Sequence, residues 1–398
     1  MAALDFPPSP IAGDKYPVPA VVGQPQYTFD GTKWTTVGAQ VTTAAPASAL
    51  PLMDQLTALV GTTTKYARED HVHPINTSLL VKKSYILNGA MMVSQENGAT
   101  AGAAVGYYPV DGFAYIAGGT TGVVSGQQVA SATPGGSPKR ARWAIATSDA
   151  ALAADDVAFI RATVEGLRAA DLRSGTAGAK TVTLRFGINA FAGTYCVAIR
   201  NAAGNRSYVV PVTVPAGESI QSVTIPLDTA GTWASDNTLA LEISWCLMSG
   251  LTYQTASPNT WTATAAIATS AQTNWLANAP GSIFELFDVS LTEGPVAPPF
   301  VVPDYASELA LCQRYFCNGY VSWRGTIVAG ATYTSMMVYF PCFMRAIPAM
   351  TVAIDSVTNL GSPAGTINPY NSGVEVYHPV VTTGLASFFD VWKASARL

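Results

Sequence analysis

Charge and histidine are what this 398-residue chain has least of. Charged residues make up 12% of it, about half the usual share, and only three histidines occur, His71, His73 and His378. Lys+Arg against Asp+Glu runs 6−6 over residues 1–83, 10−14 over 84–303 and 5−5 over 304–398. No block is basic, so nothing attracts a phosphate backbone and nucleic acid is not an expected partner. The absence of any run of eighteen apolar residues excludes a membrane-spanning helix, and no membrane insertion is expected. The start, MAALDFPPSP, has neither the basic stretch nor the apolar run of a signal peptide. Five cysteines, Cys196, Cys246, Cys312, Cys317 and Cys342, show no CxxC spacing. Their odd number argues for buried free thiols over a disulfide framework, and the Cys312/Cys317 pair is the one to inspect. There is no GxSxG, HExxH or phosphate-binding glycine loop, and no repeat of twenty-odd residues.

What is present is 49% hydrophobic residues in short stretches, which predicts an all-β chain. Residues 1–83 read as extended. Proline punctuates FPPSP and YPVPAVVGQP, and QYTFDGTKWTT carries a hairpin signal at Asp30-Gly31. A Thr/Ala/Pro linker leads to LPLMDQLTALVG, where Leu52, Leu56 and Leu59 form one helical stripe too short to be stable alone. Such a segment needs partners, and other copies of the same chain can supply them.

Residues 84–303 carry KTVTLRFGINAF, TYCVAIRN, YVVPVTVP, SIQSVTIPL, NTLALEISWCL and SIFELFDVSL, separated by turns about every ten residues. That spacing predicts a β-sandwich, with one short helix at SDAALAADD. EGPVAPPFVVPD reads as a domain exit, because its prolines cannot sit in a sheet ladder. DYASELALCQRYF predicts a linking helix over 304–317, capped by Asp304, with Tyr305, Leu309, Cys312 and Phe316 on one face. Residues 318–398 alternate as strands again (TSMMVYF, AMTVAI, GVEVYHPVV, SFFDVW) and predict a smaller distal β-domain.

Several of these phrases resemble bacteriophage tail fibres and related receptor-binding virion appendages. PLMDQLTALVGTTTKYAREDHVHP is similar to a fibre linker, although Gln55-Leu56 stands where that linker usually has Gly-Thr. ILNGAMMVSQENG and YYPVDGFAY, closed by FELFDVSLTEGPVAPPFVVPDYASELALCQRYF, resemble a fibre domain with a carbohydrate-binding-type jelly roll. Here Glu96 and DGF depart from that family's usual arginine and Asp-Arg-Trp. VYFPCFMRAIPAMTV, VWKASARL and GQPQYTFDGTKWTT also resemble fibre segments. The resemblance implies a homotrimer bound through its amino terminus to a phage tail, baseplate or collar protein, with its β-domains facing a host-surface glycan. It also implies a virion component made in the host cytoplasm.

In an extended strand His71 and His73 share one face, so three parallel chains would offer six imidazoles. Six nitrogens fill an octahedral shell, which suits an axial Fe or Ni ion better than Zn, and the resemblance implies the same arrangement. The alternative is that both are polar residues of a trimer seam, bonded to Arg68, Glu69 or Asp70 of a neighbour. A mononuclear catalytic centre lacks a third ligand, since His378 lies some three hundred residues away.

Glycoside hydrolysis needs two carboxylates roughly 5–10 Å apart. The adjacent pairs available, Asp155-Asp156 and Glu69-Asp70, are of the kind that faces solvent in turns, and Asp288 and Glu293 read as part of the fold. No catalytic residue is assigned. Sugar binding draws on exposed aromatic faces. Of Trp143, Trp233, Trp245, Trp261, Trp275 and Trp323, Trp245 reads as core, whereas Trp261 and Trp275 lie in polar loops and are the expected ligand-binding rings. The expectation is a non-enzymatic fibre. A capsid decoration, collar or neck fibre is the structural alternative, and a polysaccharide depolymerase the enzymatic one.

Overall fold

The structure, a computed structural model, describes residues 5–22, 24–37, 83–362 and 365–398. His71, His73, the leucine stripe and the DHVHP linker lie outside the described residues. The chain divides into two compact units, Met1–Thr77 and Ser78–Leu398.

The described part of the first unit is a three-stranded antiparallel sheet, β1 (Lys15–Tyr16), β2 (Gln26–Phe29) and β3 (Trp34–Val37). The β2–β3 turn forms at Asp30-Gly31, as the sequence predicts. Gly31 takes φ +102°, and Asp30 Oδ1 accepts the N–H groups of Thr32 and Lys33, both at 2.9 Å. Those bonds hold the Asp30 carboxyl below its usual range. Phe6 stacks on Trp34 at 4.9 Å and meets Tyr27 edge-on, so a small aromatic cluster does the work of a core.

The second unit begins with a β-sandwich. Its strands are β4 (Phe113–Gly118), β5 (Val123–Ala130), β6 (Lys139–Thr147), β7 (Val157–Glu165), β8 (Thr181–Ala190), β9 (Gly193–Arg200), β10 (Ser207–Val214), β11 (Gly217–Pro226), β12 (Leu239–Ser249), β13 (Trp261–Thr262) and β14 (Ile283–Glu293). One sheet runs β13-β10-β9-β12-β7-β4 and the other β11-β8-β14-β6-β5. Alternate residues of both sheets point inward, and Phe186 of β8 meets Trp245 of β12 edge-on at 5.9 Å across the core. The six strand phrases read from the sequence coincide with β8, β9, β10, β11, β12 and β14.

SDAALAADD is not helical. Asp149 accepts from the N–H of Thr121 and Ala151, and Asp156 from that of Ala153, so these acids fix irregular turns instead. The helices of this half are a single α-turn, α1 (Gly166–Ala169), and brief 3-10 turns.

α2 (Tyr305–Gln313) is shorter than the predicted 304–317. Asp304 caps it, accepting Ser307 N–H at 2.9 Å. Its buried face differs from the predicted stripe. Tyr305 is exposed, whereas Glu308 and Cys312 are buried, because the Glu308 carboxylate reaches in to accept the Asn88 N–H. Phe316 is buried as the first residue of a strand.

The remainder forms two three-stranded sheets around a core of Val321, Met344, Val374, Val376, Phe388 and Trp392. These strands are β15 (Phe316–Ile327), β16 (Tyr333–Tyr339), β17 (Ala349–Thr358), β18 (Gly365–Tyr370), β19 (Gly373–Pro379) and β20 (Gly384–Ser395). Their orders are β15-β20-β17 and β16-β19-β18. His378 of β19 joins the sheets. Its Nε2 lies 2.6 Å from Asp390 Oδ2 on β20, its Nδ1 lies 2.9 Å from Gly361 O, and its ring stacks on Phe388.

The sandwich and the distal domain are fastened together by side chains. Arg314 and the Tyr315 hydroxyl bond Glu165 at the end of β7, and Arg345 and Asn237 exchange bonds with each other's backbone carbonyls. Arg397 and Lys393 bond Glu96.

Two outcomes follow. Removing one member of a buried pair leaves its partner uncompensated, so His378→Ala should cost about 3–5 kcal/mol, read as a lower thermal midpoint of the distal domain. Burial raises the Glu96 pKa, but the bonds and charges of Arg397 and Lys393 outweigh it and hold the carboxyl below its usual range. A depressed folded pKa gives stability that is present above the unfolded value of about 4.3 and is lost as pH falls through the folded one. Glu96→Gln should therefore lower the thermal midpoint at neutral pH, and the difference from wild type should shrink below about pH 4.3.

Candidate functional site

Trp275 is not a surface ring. It is 0% exposed and sits in a 3-10 turn, Trp275–Ala277, where it meets Phe284 edge-on at 5.8 Å. The loop is polar in composition, but it folds inward, and the Leu276 carbonyl accepts the Asp149 N–H. No ligand can reach the indole, so the expectation for Trp275 is corrected. Trp143 and Trp245 are likewise buried.

Trp261 is half-buried and stands at a corner of the sandwich. The two-residue strand β13 pairs with the start of β10 (Ser207 opposite Thr262, Tyr208 opposite Trp261), which sets the indole beside Tyr208 with centroids 5.4 Å apart. Trp233, from the loop between β11 and β12, meets Trp261 edge-on at 5.4 Å. Each indole N–H donates to a backbone carbonyl, Trp261 Nε1 to Pro226 O at 2.7 Å and Trp233 Nε1 to Ala230 O at 2.9 Å. Both ring planes are thus fixed before anything binds, which lowers the ordering cost of contact.

Polar groups surround the pair. Arg206 forks onto Asp228, with Nη2 to Oδ1 at 2.8 Å, and these hydrogen bonds raise the guanidinium pKa. Asn201 accepts the N–H groups of Asn205 and Arg206 and donates to Asn205 Oδ1. Asn201 and Asp228 are themselves buried and brace the corner from behind, so the half-exposed indoles and the partly exposed Arg206 are the groups open to solvent, and such aromatic faces suit a sugar. Polar context in the sequence picked out Trp261. The Trp233 partnership and the Arg206–Asp228 fork join distant loops and left no local signal.

Most of the buried acids are engaged in holding the fold together. Glu285 bonds Arg140, Arg142 and Asn189, Glu242 bonds Arg200, and Glu165 bonds Arg314 and Tyr315. Asp288, at φ +49°, accepts from Thr133 and Gly135. Burial pushes the Asp111 carboxyl up against bonds from Gln95, but the cavity beside it is about 30 Å³, space for water and not for a sugar ring. A larger, half-open groove of about 600 Å³ lies along Pro298, Pro299, Phe300 and Leu311, and its one acid, Glu308, already bonds Asn88. Cys196, Cys246, Cys312 and Cys317 are buried free thiols and Cys342 is half-buried; burial pushes the pKa of each up. Among the described residues, no group of three or more His, Cys, Asp or Glu side chains is placed to hold a metal ion.

No protein-family model matches the chain, and no curated protein matches it. Solved structures similar to it include a family 11 carbohydrate-binding module of a cellulosomal cellulase of Clostridium thermocellum, at 12% identity over 50% of this chain and 97% of that one, with a TM-score of 0.27. The enzymatically active domain of tailspike protein 4 of bacteriophage CBA120 is similar at 9% identity over 58% of this chain and 24% of that one, TM-score 0.28. Discoidin II of Dictyostelium discoideum is similar at 11% identity over 62% and 78%, TM-score 0.17. At such scores neither a ligand nor an activity transfers to this chain.

The two indoles should separate in stability. Trp275→Ala empties a fully buried site and should cost about 3–5 kcal/mol in denaturant unfolding. Trp261→Ala, at a half-exposed corner, should cost clearly less and leave the far-UV circular dichroism spectrum unchanged.

Proposed function

We propose that the chain is a non-enzymatic phage virion protein, a homotrimeric tail fibre that contacts host-surface glycan through its β-domains. The observation that carries the glycan part is the Trp233–Trp261 corner, two half-exposed indoles locked by carbonyl acceptors, with the partly exposed Arg206 held nearby by its fork onto buried Asp228. The fibre part rests on the DHVHP linker and the ELALCQRYF phrase, and on an amino-terminal leucine stripe that needs partners which other copies of the chain can supply. Attachment to a tail, baseplate or collar protein is assigned to that segment, and assembly to the host cytoplasm. His71 and His73 of three chains are assigned an axial Fe or Ni ion. The ion would lock the register of the three chains, and neutral imidazoles are what it requires.

The non-enzymatic reading is supported by how the carboxylates are used. Among the described residues, the buried acids are bonded to arginines, to backbone N–H groups or, for Asp390, to His378, and Asp111, whose pKa is raised, has no room beside it for a substrate.

The experiment joins mass, metal and binding on one purified sample. The expected result is a solution mass of three chains, about one Fe or Ni per trimer lost together in His71→Ala/His73→Ala, and adsorption to host cells that Trp261→Ala and Trp233→Ala weaken. A trimer that binds virion proteins and no host surface would assign the collar or decoration role instead. Release of reducing sugar from host polysaccharide would overturn the non-enzymatic reading, and a monomer would overturn the fibre.

A further inference from the structure

The outer face of the distal sheet β15-β20-β17 sets aromatic rings among hydroxyl groups that have no partner in the described residues. On β15 the outward residues Tyr320, Ser322 and Arg324 are all exposed, Tyr320 at 69%. The register sets Tyr320 opposite Val391, Ser322 opposite Phe389 and Arg324 opposite Ser387. On the other side, Ser356 of β17 lies opposite Phe389 and Thr358 opposite Ser387. Phe389 is therefore ringed by Ser322, Ser387, Ser356 and Thr358, and it stacks on the diagonal neighbour Tyr320, with centroids 5.3 Å and planes 25° apart. None of those four hydroxyls, nor the Arg324 guanidinium, is bonded by another described residue. The one acid of β17, Asp355, stands at the register break between Ile354 and Ser356, out of line with Arg324. Lys393, on the same face, pairs with Glu96.

We infer that this face, built from Tyr320 and Phe389 with Arg324 beside them, is a binding platform for a carboxylated saccharide. The inference rests on the glycan-contact reading above and adds a second site with a stated chemistry. A pyranose ring stacks on the aromatic pair, its hydroxyls exchange bonds with the surrounding serines and Thr358, and its carboxylate takes the two-pronged guanidinium of Arg324. Arginine is the side chain whose planar fork matches a carboxylate, and it stays charged at every physiological pH. Phe389 lies diagonally between Tyr320 and Arg324, and β-strand spacing puts the Cα atoms of those two about 13 Å apart, a span that a sugar ring with its carboxyl group and the long Arg side chain can bridge. A second copy of the chain is the poorer occupant. A dry contact there would strand four hydroxyls and an unpaired cation, and each such group is costly to bury without a partner.

The test uses the full chain and two carboxylated probes, oligogalacturonate and oligosialic acid, against maltooligosaccharide of equal length as the neutral control. Calorimetry should show a carboxylated probe binding more tightly than the neutral one and weakening with added salt. Tyr320→Ala and Arg324→Gln should each weaken that binding roughly tenfold, with Arg324→Lys intermediate, because a lysine keeps the charge and loses the fork. Both positions are exposed, so unchanged thermal midpoints check that the variants fold. Binding of the acidic probes that survives Tyr320→Ala and Arg324→Gln overturns the platform. So does absence of any binding by either acidic probe, or a change of solution mass in Tyr320→Ala, which would make the face a contact between copies. If the platform fails while host-cell adsorption still depends on Trp261, the fibre reading stands. Loss of both sinks them together.

Discussion

A buried carboxylate, Glu165, fixes where the carboxy-terminal third of the protein lies. It closes β7 and precedes the single turn α1, and it accepts two N–H bonds from Arg314, at 3.0 and 2.6 Å, and the hydroxyl of Tyr315 at 2.6 Å. Burial, together with the bond and charge of Glu165, pushes the Tyr315 hydroxyl pKa up, so it remains a donor. Both partners sit directly after α2 and directly before β15. The node therefore sets the angle at which β15 leaves the sandwich, and with it the direction faced by Tyr320, Ser322 and Arg324. Arg345 reinforces it by donating to the carbonyls of Asn237, Ala396 and Arg397.

The scarcity of charge acquires a meaning in this light. Many of the arginines serve as fasteners, within the sandwich at Glu285, Glu242 and Asp228, and between the domains at Glu165 and Glu96. Desolvated pairs add little net stability compared with apolar packing, but a broken one is expensive, so they penalise alternative dockings of one domain on the other. Among the described residues, the guanidinium of Arg324, like those of Arg173 and Arg185, makes no such bond, and Arg324 is the one on the outer face of the distal sheet.

Much of the β-architecture was legible in short windows. The strands that alternate cleanly, such as SIQSVTIPL and GVEVYHPVV, occupy β11 and β19 with offsets of a few residues. The longer strands without a clean alternation, β4 to β7, β15 and β18, carry glycine, glutamine or arginine within them, as in VVSGQQVA and KRARWAIAT, and in β4 to β7 and β15 the inward faces show only once the sheets are assembled. Phe316 continued the helical stripe of α2 by spacing alone, but the chain turns at Arg314 and Tyr315 because Glu165 holds them. The site was legible only in part. Polar loops marked both Trp261 and Trp275, and what separates them is whether the loop folds over the core, a matter of packing that composition does not carry. The Tyr320–Phe389 platform pairs residues nearly seventy positions apart, and the alternation of Tyr320, Ser322 and Arg324 was its only local trace.

The fastened joint between the two β-domains has a consequence for avidity. With the Glu165, Glu96 and Arg345 bonds in place, the indole corner and the distal sheet keep a fixed separation and orientation. On the proposed glycan-contact reading, a polysaccharide held by one surface would meet the other as an intramolecular step, at an effective concentration set by the frame and undiluted by a flexible tether. Weak individual contacts then suffice, provided the spacing of epitopes along the polymer matches the spacing built into the protein, so that the rigid joint itself discriminates between chains made of the same sugars.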